Sequence, residues 1–208
     1  MRSTVIPIPK PGKPLNTLQN LRPISLTSNL CEILEKMVQT RLSWILETRG
    51  DLHRMQTGFR PGLSTQDSLE MIHQDVYEKP QFKRQLRTIV ALDIKKTFDS
   101  IPHKAVIESA QRREIRGNML NLIKSFLKER TYEIVIGGNR SPWRHNNTGV
   151  PLGAVISPTL FNMAMTDLAN ALDAIPNINF SIERTPLHSG PSKGLPEIKK
   201  QQCKKPWM

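Results

Sequence analysis

Two acidic residues follow closely on a continuous apolar run. They are Asp93 and Asp99 in TIVALDIKKTFDSIPH, Thr88 to His103. A carboxylate that ends a buried strand must be paired, hydrated or bound to a metal ion, because an unpaired buried charge is strongly destabilising. Taken alone, an acid in the position of Asp93 is more often hydrated or a helix cap than a metal ligand. Asp99 precedes Ser100-Ile101-Pro102 and is predicted to begin a helix.

The segment that positions Asp93 is predicted to be a strand. QLRTIVALDI, residues 85–94, is apolar without alternation, which is typical of a strand covered on both faces. In STVIPIPKPGKP, residues 3–14, the prolines favour an edge strand that enters a loop with Lys10 and Lys13 at its tip. We also expect a hairpin in TYEIVIGGNRSPW, turning at Gly137-Gly138-Asn139, and a strand starting in INFSI, residues 178–182.

Helices are predicted between these strands. Apolar residues recur at helical spacing from Asn29 onward, and Glu32 completes a capping-box pattern, so we expect an amphipathic helix that Gly50 ends. A second helix is expected after an N-cap at Ser64 or Thr65. Two more are expected on either side of Gly117, over about residues 102–113 and 118–129. A last helix is expected to follow the N-cap Ser157, with Pro158 at its first position, and to end at about Leu172.

The composition limits the class of protein. The 208 residues include 30 Lys and Arg against 18 Asp and Glu, and this net charge of +12 favours a polyanionic partner such as nucleic acid. Ribosomal and other basic structural proteins share that property. Two cysteines, Cys31 and Cys203, do not indicate a disulfide framework or a structural zinc site. No apolar run reaches the roughly 18 residues of a membrane span. The prolines after Met1 argue against a signal peptide, so we expect an intracellular protein, in cytoplasm or nucleus.

The sequence changes character after Ile182. The last 26 residues, 183–208, contain four prolines, six Lys or Arg and two acids, without a periodic apolar pattern. Such a segment does not bury enough apolar surface to fold alone. The expected organisation is therefore a folded region over 1–182 and a basic, disordered tail over 183–208.

Five motifs, taken in order, resemble the reverse transcriptase domain of non-LTR (LINE-like) retrotransposons. They are VIPIPKPGKP, LRPISLTSNLCEILEKMVQTRL, QTGFRPGLSTQDSL, VALDIKKTFDSIPH and GVPLGAVISPTLFNMAMTDL, and the resemblance extends from Ser3 to Ile182. It implies an α/β (α+β) right-hand polymerase, of which this chain holds the fingers and an incomplete palm, without a thumb. The implied activity is RNA-directed DNA polymerisation, with an RNA template, a DNA primer and deoxynucleoside triphosphates as partners.

The resemblance also implies roles for individual residues. Asp93 matches the acid that binds two Mg²⁺ ions with the carbonyl of the next residue, Ile94; such ions activate the primer hydroxyl and neutralise the departing pyrophosphate. Phe98 matches the aromatic residue that selects deoxynucleotides by closing against a 2′-hydroxyl. Nucleotide contacts are implied for Lys10, Arg22, Leu152 and Gly153, and template contacts for Gly58, Phe59 and Arg60.

Three departures from the family pattern weaken the expectation of activity. Leu152 replaces a glutamine that helps to position the nucleotide, and leucine cannot make its hydrogen bonds. Thr97 replaces a small alanine, which we expect to be tolerated. Glu183-Arg184-Thr185-Pro186 stands where the family has the paired Asp that completes the metal site, and Asp93 alone supplies too few ligands for two Mg²⁺ ions. We therefore expect an inactive chain, and as alternatives a nucleic-acid-binding remnant without catalysis or an unstable pseudogene product.

Overall fold

A computed structural model describes residues 2–14, 16–75, 89–90, 94, 96–176, 180 and 182. The described part is mixed α/β, as the sequence predicts. Its strands are β1 (Arg2–Pro9), β2 (Leu21–Leu26), β3 (Arg130–Ile136), β4 (Asn139–Arg140) and β5 (Arg144–Asn146). Its α-helices are α1 (Asn29–Arg49), α2 (Thr65–His73), α3 (Thr97–Ser100), α4 (His103–Arg112), α5 (Gly117–Leu127) and α6 (Ser157–Asp173), and a 3₁₀ turn covers Leu18–Asn20.

The five strands form one sheet in which β1 is not an edge strand, so this prediction was wrong. The order is β2-β1-β3-β4, and β5 also pairs with β3. Residues Arg2 to Val5 pair in parallel with β3, whereas the antiparallel pairing with β2 continues to Pro9. The prolines at positions 7 and 9 therefore lie beyond the part of β1 that needs hydrogen bonds on both sides. This placement explains why a proline-broken strand can be central.

Helix α1 has the predicted length but a different cap and a different exposure. Ser28, not Asn29, is the N-cap, and its hydroxyl accepts a hydrogen bond from the backbone N–H of Cys31. Gly50 ends the helix in the left-handed conformation (φ 68°), as predicted. Leu42 and Leu46 are fully buried. Several apolar residues of the predicted pattern are instead more than half exposed, namely Leu30, Ile33, Leu34 and Met37.

The other predicted helices and the hairpin are confirmed within one or two residues. Helix α2 has the capping box between Ser64 and Asp67. The turn at Gly137 and Gly138, both with positive φ, joins β3 to β4. The N-cap of α6 is Ile156, one residue before the predicted Ser157. Asp99 does not begin a helix, so that prediction was wrong: it is the third residue of α3, and α4 has Pro102 as its N-cap.

The predicted strand over residues 85–94 lies mostly outside the described residues, and Asp93 is among those outside. Ile89 and Val90 are described, belong to no strand and are 66% and 70% exposed, so the prediction of burial was wrong for these two. A strand is also expected to start in residues 178–182, of which 180 and 182 are described. Ile182 makes a single parallel bridge with Gln56. The predicted tail, 183–208, lies outside the described residues.

The core packs between α1, α4, α5 and α6. Its fully buried members include Leu42, Val106, Ile123, Leu160 and Met163. The hydroxyl of Ser109 in α4 donates to the carbonyl of Met163 in α6 (2.7 Å), so a polar contact joins the two helices inside the core. None of the helices in the described part is long and apolar enough to cross a membrane.

Candidate functional site

Residues 149–156, which we call the PLGA loop, are fixed at one end to the segment around α3. The backbone N–H of Gly149 donates to the carbonyl of Ile101, and that of Val150 to the carbonyl of Phe98, both at 2.8 Å. Gly149 has a φ of +74°, and a Cβ atom there would lie 2.6 Å from the Cα atom of Asp99. Only glycine permits this approach of the two backbones.

The other end of the PLGA loop contacts the free edge of β2. The backbone N–H of Ser25 donates to the carbonyl of Leu152 (2.7 Å). Gly153 follows with a φ of +117°, and a Cβ atom there would lie 2.8 Å from the carbonyl oxygen of Ser25. The loop therefore brings Leu152 and Gly153 beside the strand that carries Arg22.

Phe98 lies under this loop in a cluster of aromatic rings. Its side chain is 5% exposed. The ring centroid is 6.1 Å from that of Phe59 and 5.4 Å from that of Phe161. The ring thus contributes to the core, and its implied selection against a 2′-hydroxyl stays a prediction.

Lys10 and Arg22 lie on the β1–β2 hairpin. Lys10 donates from its ammonium group to the carbonyl of Gln19 (2.8 Å), which holds it against its own turn. Arg22 pairs with Ile8 in the antiparallel register and is half-buried. Both cations therefore lie at one end of the hairpin, as their common role requires, but triphosphate binding by them stays a prediction.

The segment Gly58 to Arg60 is bound tightly to the protein itself. Arg60 makes a two-point contact with Glu47, with distances of 2.9 and 2.6 Å from Nε and Nη2 to the carboxylate. Its Nη1 donates to the carbonyls of His53 and Gln56, both at 3.1 Å. These contacts support the local fold, and the implied template role of the segment stays a prediction.

Comparison with known proteins identifies the family. The profile described as "Reverse transcriptase (RNA-dependent DNA polymerase)" matches residues 8–182. The chain belongs to the reverse transcriptase family. This confirms the resemblance on which the sequence interpretation depends.

Several relatives of this reverse transcriptase domain come from transposable elements. The chain is 29% identical over 166 residues to "Probable RNA-directed DNA polymerase from transposon BS" of Drosophila melanogaster, covering 80% of this chain and 18% of that protein. It is equally similar, with the same coverage, to "RNA-directed DNA polymerase from mobile element jockey" of the same species. It is 30% identical over 183 residues to "Retrovirus-related Pol polyprotein from type-1 retrotransposable element R2" of Popillia japonica, and this match covers 88% of this chain and 25% of that protein. The chain spans about 18% to 25% of the length of these relatives.

The described residues of this reverse transcriptase domain include only part of the implied Mg²⁺ site. Asp93 lies outside them, and no group of three or more His, Cys, Asp or Glu side chains lies together within them. The implied ligand carbonyl of Ile94 already accepts a hydrogen bond from the hydroxyl of Thr97 (2.7 Å). That hydrogen bond uses one of the two lone pairs of this oxygen.

Glu35 is an important residue that sequence reasoning missed. Its side chain is 4% exposed, and Oε2 accepts a hydrogen bond from the backbone N–H of Val155 in the PLGA loop (2.8 Å). Burial raises the pKa of Glu35, whereas the N–H groups of Val155 and Ile156 oppose that rise. A helical-wheel analysis could have found this acid, because it shares the buried face of α1 with Leu42 and Leu46.

Arg130 is the buried cation that faces Glu35. It is 3% exposed, and its guanidinium lies 5.4 Å from the centroid of the Phe126 ring. Burial lowers the pKa of Arg130 to about 10, against the attraction of Glu35. Within the described residues, Oε1 of Glu35 and Nε and Nη1 of Arg130 are buried without a hydrogen-bond partner. Both charges therefore depend on each other for compensation.

Proposed function

We propose that this chain is a retrotransposon reverse transcriptase domain that binds primer–template and nucleotide but does not polymerise DNA by itself. Residues 1–182 would be the fingers and partial palm, and 183–208 an unrelated basic tail. One observation carries the binding part of the proposal. The PLGA loop contacts both the Phe98 segment and the edge of β2, and so brings Phe98 and Gly153 beside the strand that carries Arg22.

The division of roles follows from the chemistry of these residues. Lys10 and Arg22 would neutralise the triphosphate of the incoming nucleotide, since cationic side chains bind phosphate oxygens well. Gly153 would position the loop against β2 beside the nucleotide, because the carbonyl oxygen of Ser25 takes the space of a side chain there. Phe98 would limit the space beside the sugar, and the Gly58–Arg60 segment would support the template. An intracellular location is part of this proposal.

The proposed lack of catalysis has two causes in the sequence. Leu152 offers no amide where the family uses one to position the nucleotide. Glu183-Arg184-Thr185-Pro186 offers no pair of carboxylates after Ile182. In the family the two-metal mechanism needs a set of oxygen ligands around Asp93, and this chain supplies too few of them.

A primer-extension assay tests the catalytic part. The purified full chain is incubated with an RNA template, an annealed DNA primer, the four deoxynucleoside triphosphates and Mg²⁺. We expect no primer elongation. Elongation that disappears in Asp93→Ala would refute the proposal, because it would show that Asp93 supports catalysis without the missing acids.

Nucleic-acid binding without catalysis is the second part, and the net charge of +12 favours it. Binding to a primer–template should weaken steeply as salt rises and should depend little on sequence, because phosphate contacts dominate it. Absence of binding at low salt would exclude this function. A parallel urea titration would show whether the chain unfolds cooperatively, which an unstable product would not do.

A further inference from the structure

One face of the sheet carries exposed cationic, apolar and aromatic side chains. Side chains alternate between the two faces of a strand. Ser3 and Val5 in β1 are buried, so they point toward the helices. Arg2, Ile6 and Ile8 therefore lie on the opposite face. We call this surface the open sheet face, and its main residues are Arg2, Ile6, Arg22, Leu26, Trp143 and His145.

The strand register places these residues on a common surface. Arg2 lies beside Thr131 in β3, and Thr131 lies beside His145 in β5. On the other side of β1, Ile6 pairs with Ile24 and Ile8 with Arg22. Because directly paired residues point to the same side of a sheet, the surface is continuous from β5 through β3 and β1 to β2.

The surface is accessible and has an aromatic anchor at one end. Ile6, Ile8 and Leu26 are 38%, 47% and 46% exposed, and Trp143 is 47% exposed. The guanidinium of Arg2 lies 5.4 Å from the centroid of the Trp143 ring. This cation–π contact holds the indole in place while about half of the side chain stays in contact with solvent.

The charge on this face is positive. Among the described strand residues of this face, one is acidic, Glu133. It is buried, forms an ion pair with Arg140 and accepts a hydrogen bond from the hydroxyl of Thr4. Within the described part of the chain, Arg2 and Arg22 have no acidic partner. An anionic ligand would therefore meet cations without first displacing an ion pair.

We infer that the open sheet face binds an unpaired nucleic acid strand, with a base stacked on Trp143 and phosphates near Arg2 and His145. An exposed aromatic side chain among cations suits single strands, because every unpaired base offers a flat apolar face and every linkage a negative charge. A duplex cannot stack its bases on Trp143. β1 extends for about 26 Å from Arg2 toward Lys10, so the strand would lead toward the proposed triphosphate residues. The inference rests on the proposed function and assigns it a surface that is distinct from Gly58, Phe59 and Arg60.

The test compares two exposed tryptophans in the full chain. Trp143 lies on the open sheet face, and Trp44 lies on α1 with 64% exposure. Binding of fluorescently labelled oligouridine and oligodeoxythymidine of about 16 nucleotides is followed by anisotropy at several salt concentrations. We expect Trp143→Ala to lower the affinity about 5- to 150-fold, Trp143→Phe to retain most of it, and Trp44→Ala to leave it unchanged.

A charge variant gives an independent measurement. Arg2→Ala should weaken binding and make the dependence of log K on log salt shallower by about 0.7, whereas Trp143→Ala should leave that slope unchanged. Equal binding by the wild type and both Trp143 variants would overturn the inference while leaving nucleic-acid binding intact. Equal affinity for a duplex of the same length would also overturn it. A wild type that binds no oligonucleotide would overturn both the inference and the proposed binding function.

Discussion

Glu35 links α1 to the PLGA loop through a single buried carboxylate. Its Oε2 atom accepts a hydrogen bond from the N–H of Val155, and the buried charge of Arg130 attracts it. Removing one partner of a buried charge pair leaves the other charge uncompensated in a medium of low dielectric constant. The stability of the loop therefore depends on a residue of α1 that has no implied role in substrate binding.

We predict that Glu35→Ala lowers the free energy of unfolding by about 3–5 kcal/mol at neutral pH, because the N–H of Val155 loses its acceptor and the buried charge of Arg130 loses the attraction of the carboxylate. Urea unfolding measures this change. Glu32→Ala is the matched control, since Glu32 is exposed in the first turn of the same helix, and it should cost no more than about 1 kcal/mol. The double variant Glu35→Leu/Arg130→Met should recover much of the loss. Equal effects of the two single substitutions would contradict the prediction.

The pKa of Glu35 predicts a dependence of stability on pH. Burial raises that pKa above its ordinary value of 4.5, so the folded chain binds a proton at pH values where the unfolded chain has released it. The free energy of unfolding must then fall as pH rises from 4.5 through the raised pKa. We expect the wild type to gain stability relative to Glu35→Gln on acidification across this range, measured by urea unfolding of both. The prediction fails if the difference in unfolding free energy between the wild type and Glu35→Gln stays constant with pH, or if it changes in the opposite direction.

At the scale of elements, the PLGA loop joins parts of the chain that are far apart in sequence. It contacts α3 through Gly149, β2 through Leu152 and α1 through Val155. Two of its glycines lie against backbone atoms and not against flexible side chains. A side chain at either position would have to separate the loop from its neighbour.

Gly149→Ala tests this coupling, and Gly62→Ala is its control. The two glycines have nearly the same φ, +74° and +75°, but a Cβ atom at Gly62 meets nothing within 4 Å. Gly62→Ala should therefore lower the free energy of unfolding only by the strain of a left-handed backbone with a Cβ atom, about 1–2 kcal/mol. Gly149→Ala should cost at least about 1–3 kcal/mol more, because Asp99 must move. Urea unfolding compares the two variants, and equal costs would show that the loop does not need the close approach.

The elements were predictable to different degrees, for physical reasons. Helices depend on local periodicity and capping, so the bounds of α4, α5 and α6 were close to those expected, while the cap of α1 was displaced by one residue. Strand pairing depends on distant partners, and β1 became central because β3, far along the chain, pairs with its first half. The contact between Glu35 and Val155 joins residues 120 positions apart. Local sequence carries no signal for such a pair.

At the scale of the whole molecule, an apolar surface on α1 opposes a strong positive charge. Leu30, Ile33, Met37 and Trp44 follow helical spacing along one side of α1 and are 78%, 60%, 67% and 64% exposed. Ile33, Met37 and Trp44 line an open, shallow surface of this helix together with Lys36 and Arg41. Contiguous apolar surface of this kind favours association. The net charge of +12 repels like molecules over a distance set by the ionic strength.

These opposing terms predict that added salt promotes self-association of the chain through α1. Salt screens the repulsion between like-charged molecules but leaves the apolar attraction in place. Sedimentation velocity should show monomers at low salt and a growing fraction of larger species at high salt. The double substitution Ile33→Lys/Met37→Lys should suppress that fraction, because it places charges in the apolar surface. Leu18→Lys, at a residue that is 84% exposed in the 3₁₀ turn, adds one such charge elsewhere and should not. Association that falls with salt would show instead that attraction between opposite charges drives it.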